Sequence, residues 1–141
     1  MEIERKGAPA GAAAPNAREV QFVIVDFNKA IKVLDGAFFF HVTPLINGMD
    51  LVHVHAEHIT AGGASGTTDI QVRNVTDGVD MLSTVLTVDG GETGSDTAAT
   101  PAVIDTDEDD VVENDLLRVD VKAKPSPTPK GLIVTLGFQT P

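Results

Sequence analysis

The sequence predicts an all-β protein: an antiparallel β-sandwich, jelly-roll-like, of about eight strands, preceded by an extended N-terminal arm. Three observations carry this. Apolar and polar residues alternate with period two over residues 116–123 and 131–138, the signature of a half-buried strand. Turn signals such as Asn47-Gly48, Asp77-Gly78 and Asp89-Gly-Gly-Glu92 recur along the chain at the spacing of short strands. No stretch shows the 3.6-residue apolar period of an amphipathic helix. At 141 residues the chain fits one domain, long enough to bury about two-thirds of its unfolded surface. We divide it into an arm over residues 1–18 and a single sandwich domain over 19–141.

Taken in order, the arm contains Gly7-Ala-Pro-Ala-Gly-Ala-Ala-Ala-Pro15, where glycine and proline oppose a helix despite the alanines. Read by composition it is either a disordered tail or an extended arm that orders on a neighbouring subunit. Ile3, Pro9 and Pro15 are its candidate contacts. Residues 19–27 form a strand with Val20, Phe22 and Ile24 on one face and Val23, Val25 and Phe27 on the other. Apolar residues on both faces imply a central strand, or one covered by another subunit. Residues 28–36 are a helical turn or hairpin connection, with turn chemistry at Asp35-Gly36.

The next strand, 37–43, is built on Phe38, Phe39 and Phe40. Three consecutive aromatics must send one away from the core, so this strand is a candidate contact surface. Residues 51–60 alternate, with Val52, Val54, Ala56 and His58 on one face and Leu51, His53, His55, Glu57 and Ile59 on the other. A glycine loop at 61–66 leads to a strand at 67–75, with Ile70 and Val72 inward and Asp69, Gln71 and Arg73 outward. Residues 81–88 make one further strand, and 101–105 a short edge strand with proline at its start. An acidic connection precedes the strand at 116–123. A stiff proline loop at 125–129 precedes the last strand, whose Leu132, Val134, Leu136 and Phe138 point inward.

Composition narrows the function. Ten basic against 21 acidic residues give a net charge of -11, which argues against nucleic acid or an anionic membrane as partner. With no cysteine there is no disulfide or thiolate metal site. No apolar run approaches a transmembrane span, and no apolar stretch of signal-peptide kind follows the N-terminal charges. Tryptophan and tyrosine are absent, which removes the usual stacking platforms for sugars and bases.

Residues 105–115, with Asp107, Asp109 and Asp110 at their centre, hold the densest run of carboxylates and are the first metal candidate. A calcium loop of EF-hand type starting at Asp105 needs glycine sixth and glutamate twelfth, and the chain has Asp110 and Leu116 there. The reading preferred is a solvated acidic loop or a charge partner for another protein. His53, His55 and Glu57 share a strand face and could form a histidine–carboxylate site, but no fourth ligand is visible and His58 faces away. Nucleophilic catalysis has no Gly-x-Ser-x-Gly elbow, and the 61–66 loop lacks the lysine and helix of a phosphate loop. We therefore expect no catalytic residue, no cofactor and no metal.

Several segments in order, Asp80-Met-Leu-Ser-Thr-Val-Leu-Thr-Val-Asp89, Thr97-Ala-Ala-Thr-Pro-Ala-Val-Ile-Asp105, Asp115-Leu-Leu-Arg-Val-Asp-Val121 and Lys130-Gly-Leu-Ile-Val-Thr-Leu136, resemble the jelly-roll cement or decoration proteins that coat the capsids of tailed bacteriophages. The resemblance covers residues 37–138. It implies a non-enzymatic virion protein made in the host bacterial cytoplasm and bound to the outer capsid surface. Its implied partners are the major capsid protein and itself, as dimer or trimer. Similar domains occur in tail fibres and baseplates, so a receptor-binding or attachment module is the alternative. A calcium-dependent carbohydrate-binding module would rest on the acidic loop.

Overall fold

A computed structural model describes residues 16–141. Its strands are β1 (Ala17–Ala30), β2 (Leu34–His41), β3 (Asp50–Glu57), β4 (Thr67–Asn74), β5 (Val79–Asp80), β6 (Leu82–Thr84), β7 (Leu86–Asp89), β8 (Val103–Ile104), β9 (Leu116–Ala123) and β10 (Lys130–Gln139). All pairings are antiparallel. One sheet runs β1-β10-β3, the other β2-β9-β4-β5 with β7 also on β4, and β6 pairs β8 in a small ribbon. The fold class expected from the alternation is the one observed.

The core lies between the two sheets. Leu132, Val134, Leu136 and Phe138 of β10 face Leu117, Val119 and Val121 of β9 and Ile70 and Val72 of β4, all at most 1% exposed. Phe22 of β1 bridges to β2, its ring 4.7 Å from Phe38 and 5.2 Å from Phe40, and Phe40 stacks on Phe138 at 6.2 Å.

The described strands number ten because the 78–89 stretch is three pieces. Residues 79–80 pair the end of β4 and 86–89 pair its start, while 82–84 swing out to β8. The reason is Gln71, expected to face outward but buried. Its amide donates to the Leu82 carbonyl at 3.0 Å and accepts the Leu82 N–H at 3.2 Å. One side chain thus stands in for the ladder where the backbone leaves β4, keeping both groups satisfied away from water.

Three other departures are bulges, each adding residues to one strand and turning the faces that follow. In β1 the register slips between Val23 and Val25, so Ile24 and Val25 both pack on the core, while Val23 and Phe27 stay outside, 62% and 68% exposed. In β3 the slip falls opposite Gly137 and Phe138, which buries Leu51 and exposes Val52, the reverse of strict alternation. In β2 the slip spans Leu34 to Phe38, so Asp35-Gly36 sits within the strand rather than in a connection. Gly36 has φ +77°, and its N–H donates to Asp120 Oδ1 at 2.7 Å.

β1 also begins earlier than the expected boundary at residue 19. Ala17 pairs with Gln139, and the Asn16 carbonyl accepts the Thr140 N–H. The rest of the expected arm, with Ile3, Pro9 and Pro15, lies outside the described residues. At one end of the sandwich the 61–66 loop meets the proline loop: Gly63 N–H donates to the Pro127 carbonyl at 2.7 Å. A Cβ on Gly63 would stand 2.1 Å from Pro127, so only glycine admits this approach.

Candidate functional site

The sheets are capped on one side by their edge strands β1 and β2, each paired on one flank only within the described chain. Between them opens an apolar cleft of about 500 Å3, lined by Ile24, Val25, Leu34, Ala37 and Val121. Of its lining residues Leu34 is exposed, and the exposed apolar Phe27 and Val33 are chain neighbours of others, Asp26 and Lys32. Of the three aromatics singled out as a contact surface, Phe38 and Phe40 face the core and are not free to contact a partner. Phe39, 51% exposed, alone points out, because strand alternation turns the middle residue over.

Around Phe39 the outer face of the β2-β9-β4 sheet is laced with charge. Arg118 donates from Nε and Nη2 to the two oxygens of Asp120, at 2.7 and 3.0 Å, and Lys122 reaches Asp35 at 2.7 Å. The hydrogen bond to Lys122 holds the Asp35 carboxyl below the usual range and, reciprocally, raises the Lys122 ammonium. Asp120 is fully buried beneath the Gly36 bulge, its oxygens occupied by Arg118 and the Gly36 N–H. This face is self-satisfied.

The acidic segment is pinned rather than floating. Leu51 N–H donates to the Asp109 carbonyl at 2.8 Å and Val111 N–H to the Met49 carbonyl at 2.9 Å, with Val111 buried. The run thereby lies alongside the start of β3. Asp107 and Asp110 are exposed and Asp109 is half-buried. Burial, then repulsion from Asp50, Asp110 and Asp105, pushes the Asp109 carboxyl up. Among the described residues no group of three or more His, Asp or Glu side chains is placed to hold a metal ion. The acid side chains are spread along a surface.

The histidine face holds something that spacing did not reveal. The ring of His55 sits between Glu57 and Ser95, with Nε2 3.0 Å from Glu57 Oε1 and Nδ1 3.1 Å from Ser95 Oγ. A carboxylate only accepts, so Nε2–H donates to Glu57 and Nδ1 accepts the serine proton. The order hydroxyl, imidazole, carboxylate is that of a nucleophile relay. Ser95 Oγ, however, also accepts the Ala56 N–H at 2.9 Å, so the same bonds strap the turn at Ser95–Thr97 onto β3. Beside it, Val52, His53, Pro101 and Val103 line a shallow cleft of about 520 Å3. Ser95 lies forty positions from His55 in the chain, and nothing in the local sequence couples them. His58 is a core residue: Nδ1–H donates to the Gly131 carbonyl at 2.7 Å and Nε2 accepts the Thr68 hydroxyl at 2.8 Å. Comparison with protein-family models, with curated proteins and with solved structures finds no match for this chain.

Proposed function

We propose that the protein is a structural virion protein that binds the outside of a tailed-phage capsid and cements neighbouring major capsid subunits. The observation that carries this reading is the open side of the sandwich. Two strand edges, the mainly apolar cleft between them, and the exposed apolar Val23, Phe27, Val33 and Leu34 carried on β1, β2 and their connection support a side that another protein covers. The strand order adds support for the jelly-roll form implied by the resemblance. β1 pairs β10 and β2 pairs β9, and β10 and β9 continue to β3 and β4, as when one long hairpin rolls upon itself.

The cementing role is non-enzymatic, with contacts to the capsid protein and to further copies of this chain. Mixing the purified protein with undecorated capsids tests it. Stoichiometric binding over the whole lattice is the expected result, and Val23→Asp with Phe27→Asp should abolish it while the protein stays folded. Binding confined to tail tips would move the assignment to a fibre or baseplate module, and absence of binding to virions would end it.

A further inference from the structure

The bonds joining Ser95, His55 and Glu57 offer chemistry that holding a turn does not use. Glu57 accepts the Nε2–H of His55 and so keeps that nitrogen protonated. Nδ1 is thereby left as the basic nitrogen, and it receives the Ser95 hydroxyl at 3.1 Å. Either ring nitrogen can take a serine proton, provided that the other is held as Nε2 is here. Ser95 Oγ has two lone pairs. One accepts the Ala56 N–H at 2.9 Å, which fixes the oxygen against the imidazole and favours its anionic form. Among the described residues no donor occupies the other, which is the one that attack requires.

The group is open to a substrate. The side chains of His55 and Glu57 are 28% and 40% exposed, and Ser95 and His55 themselves line the cleft of about 520 Å3. Its apolar walls include Val52, Leu86, Pro101 and Val103, which suit a short hydrocarbon chain. Asp96 also lines it, on a chain of net charge -11, so an anionic substrate is disfavoured. His53 lies on the same strand face as His55 and lines the same cleft. It has no hydrogen-bond partner among the described residues, so its ring N–H is available to the carbonyl oxygen of a bound ester.

We infer that Ser95 is an acyl-accepting nucleophile with His55 as its base, and that this cleft hydrolyses uncharged esters of short apolar acids. The activity goes beyond capsid binding and does not depend on it. Oγ bonds to the ester carbonyl carbon as its proton passes to Nδ1, and His53 donates to the oxygen that gains the charge. Collapse breaks the bond to the alcohol oxygen, and the alcohol leaves with the proton from Nδ1. Water then attacks the acyl group on Ser95 and gives a proton to Nδ1. The acid departs as that proton returns to Oγ. Glu57 is a positioning residue, holding the ring in the tautomer that accepts at Nδ1.

The absence of cysteine leaves no competing thiol, so an acyl probe tests this directly. The full-length protein is incubated with p-nitrophenyl butyrate, quenched in acid, and its peptides are mapped by mass. The expected result is a butyryl group on Ser95, formed with release of nitrophenol and lost again as the ester runs out. Ser95→Ala should abolish it. His55→Asn keeps an acceptor for the Ser95 hydroxyl, and so the hold on the turn, but cannot take the proton, and should slow acylation about a hundredfold. Glu57→Gln should slow it without changing the half-saturating ester concentration. The urea-unfolded wild-type chain should leave Ser95 unlabelled, a comparison that decides the matter even if a variant fails to fold. Three results overturn the inference: butyryl groups confined to lysines, Ser95 labelled as fast in folded His55→Asn as in the wild type, and equal labelling of Ser95 in the folded and unfolded chain. No capsid is present, so none of these results bears on capsid binding, which the mixing experiment decides separately.

Discussion

Phe39 and Phe40 are neighbours in sequence and opposites in energetics. Phe40 packs against Phe22 and Phe138 between the sheets, whereas Phe39 lies on the outer face near Arg118. Truncating Phe40 removes a core ring only partly shielded from water, so Phe40→Ala should cost about 3 kcal/mol in urea unfolding. Phe39→Ala should cost less than about 1 kcal/mol, and equal losses would contradict the assignment of faces. His58 makes a prediction of a different kind. Burial lowers its pKa from 6.5, outweighing the Gly131 carbonyl and Glu57, which pull it up. Below 6.5 the unfolded chain therefore binds a proton that the folded chain refuses, and stability falls as pH drops through that window. Urea midpoints measured from about pH 7 down to about pH 5 should fall, and His58→Gln should flatten that part of the profile. A profile with the same slope in the variant would show that other groups govern it.

The elements are shaped by the places where a side chain or glycine interrupts regular pairing. Gln71 holds β6 off β4 by bonding both backbone groups of Leu82. Gln71→Leu keeps the bulk but leaves a buried N–H and C=O without partners, at a cost of about 2 kcal/mol. Hydrogen exchange should then show faster exchange at Leu82, with β9 and β10 unchanged. Exchange unaltered at Leu82 would mean that its backbone has another partner. The bulge at Asp35-Gly36 works in the opposite sense, bringing a backbone N–H onto the buried Asp120 carboxylate that Arg118 already grips. Here irregular backbone completes a polar cluster instead of breaking one.

For the whole molecule the dominant long-range term is self-repulsion among 21 acidic residues set against ten basic ones. Salt weakens the surface pairs Lys122–Asp35 and Arg73–Asp80, each worth little when exposed, and it also screens the larger surplus of like charge. Raising sodium chloride from about 0.02 M to about 0.5 M should therefore raise the melting temperature by about 2–5 °C. A fall would mean that the local pairs outweigh the global repulsion. The same screening eases the approach of like-charged copies, so the self-association proposed above should strengthen with salt.

Much of the fold was legible because strand alternation is a local property. The inward sets of β9 and β10 follow from period two alone, since the pleat sends successive side chains to opposite faces. Alternation failed at Val25, Leu51, Val52 and Gln71. At the first three a bulge in the pairing shifts the face, and a bulge depends on how many residues the distant partner strand supplies. Likewise, Phe-Phe-Phe signals that one ring must turn outward, but only the pairing of β2 with β9 determines that it is Phe39. The open side, the cleft beside Lys29 and Lys32, and the meeting of His55 with Ser95 are long-range as well. By itself the sequence determined an acidic, cysteine-free antiparallel β-protein and the composition of its core. Which edges and which charges find a partner among the described residues was decided only by tertiary structure, because both depend on what the rest of the chain brings alongside.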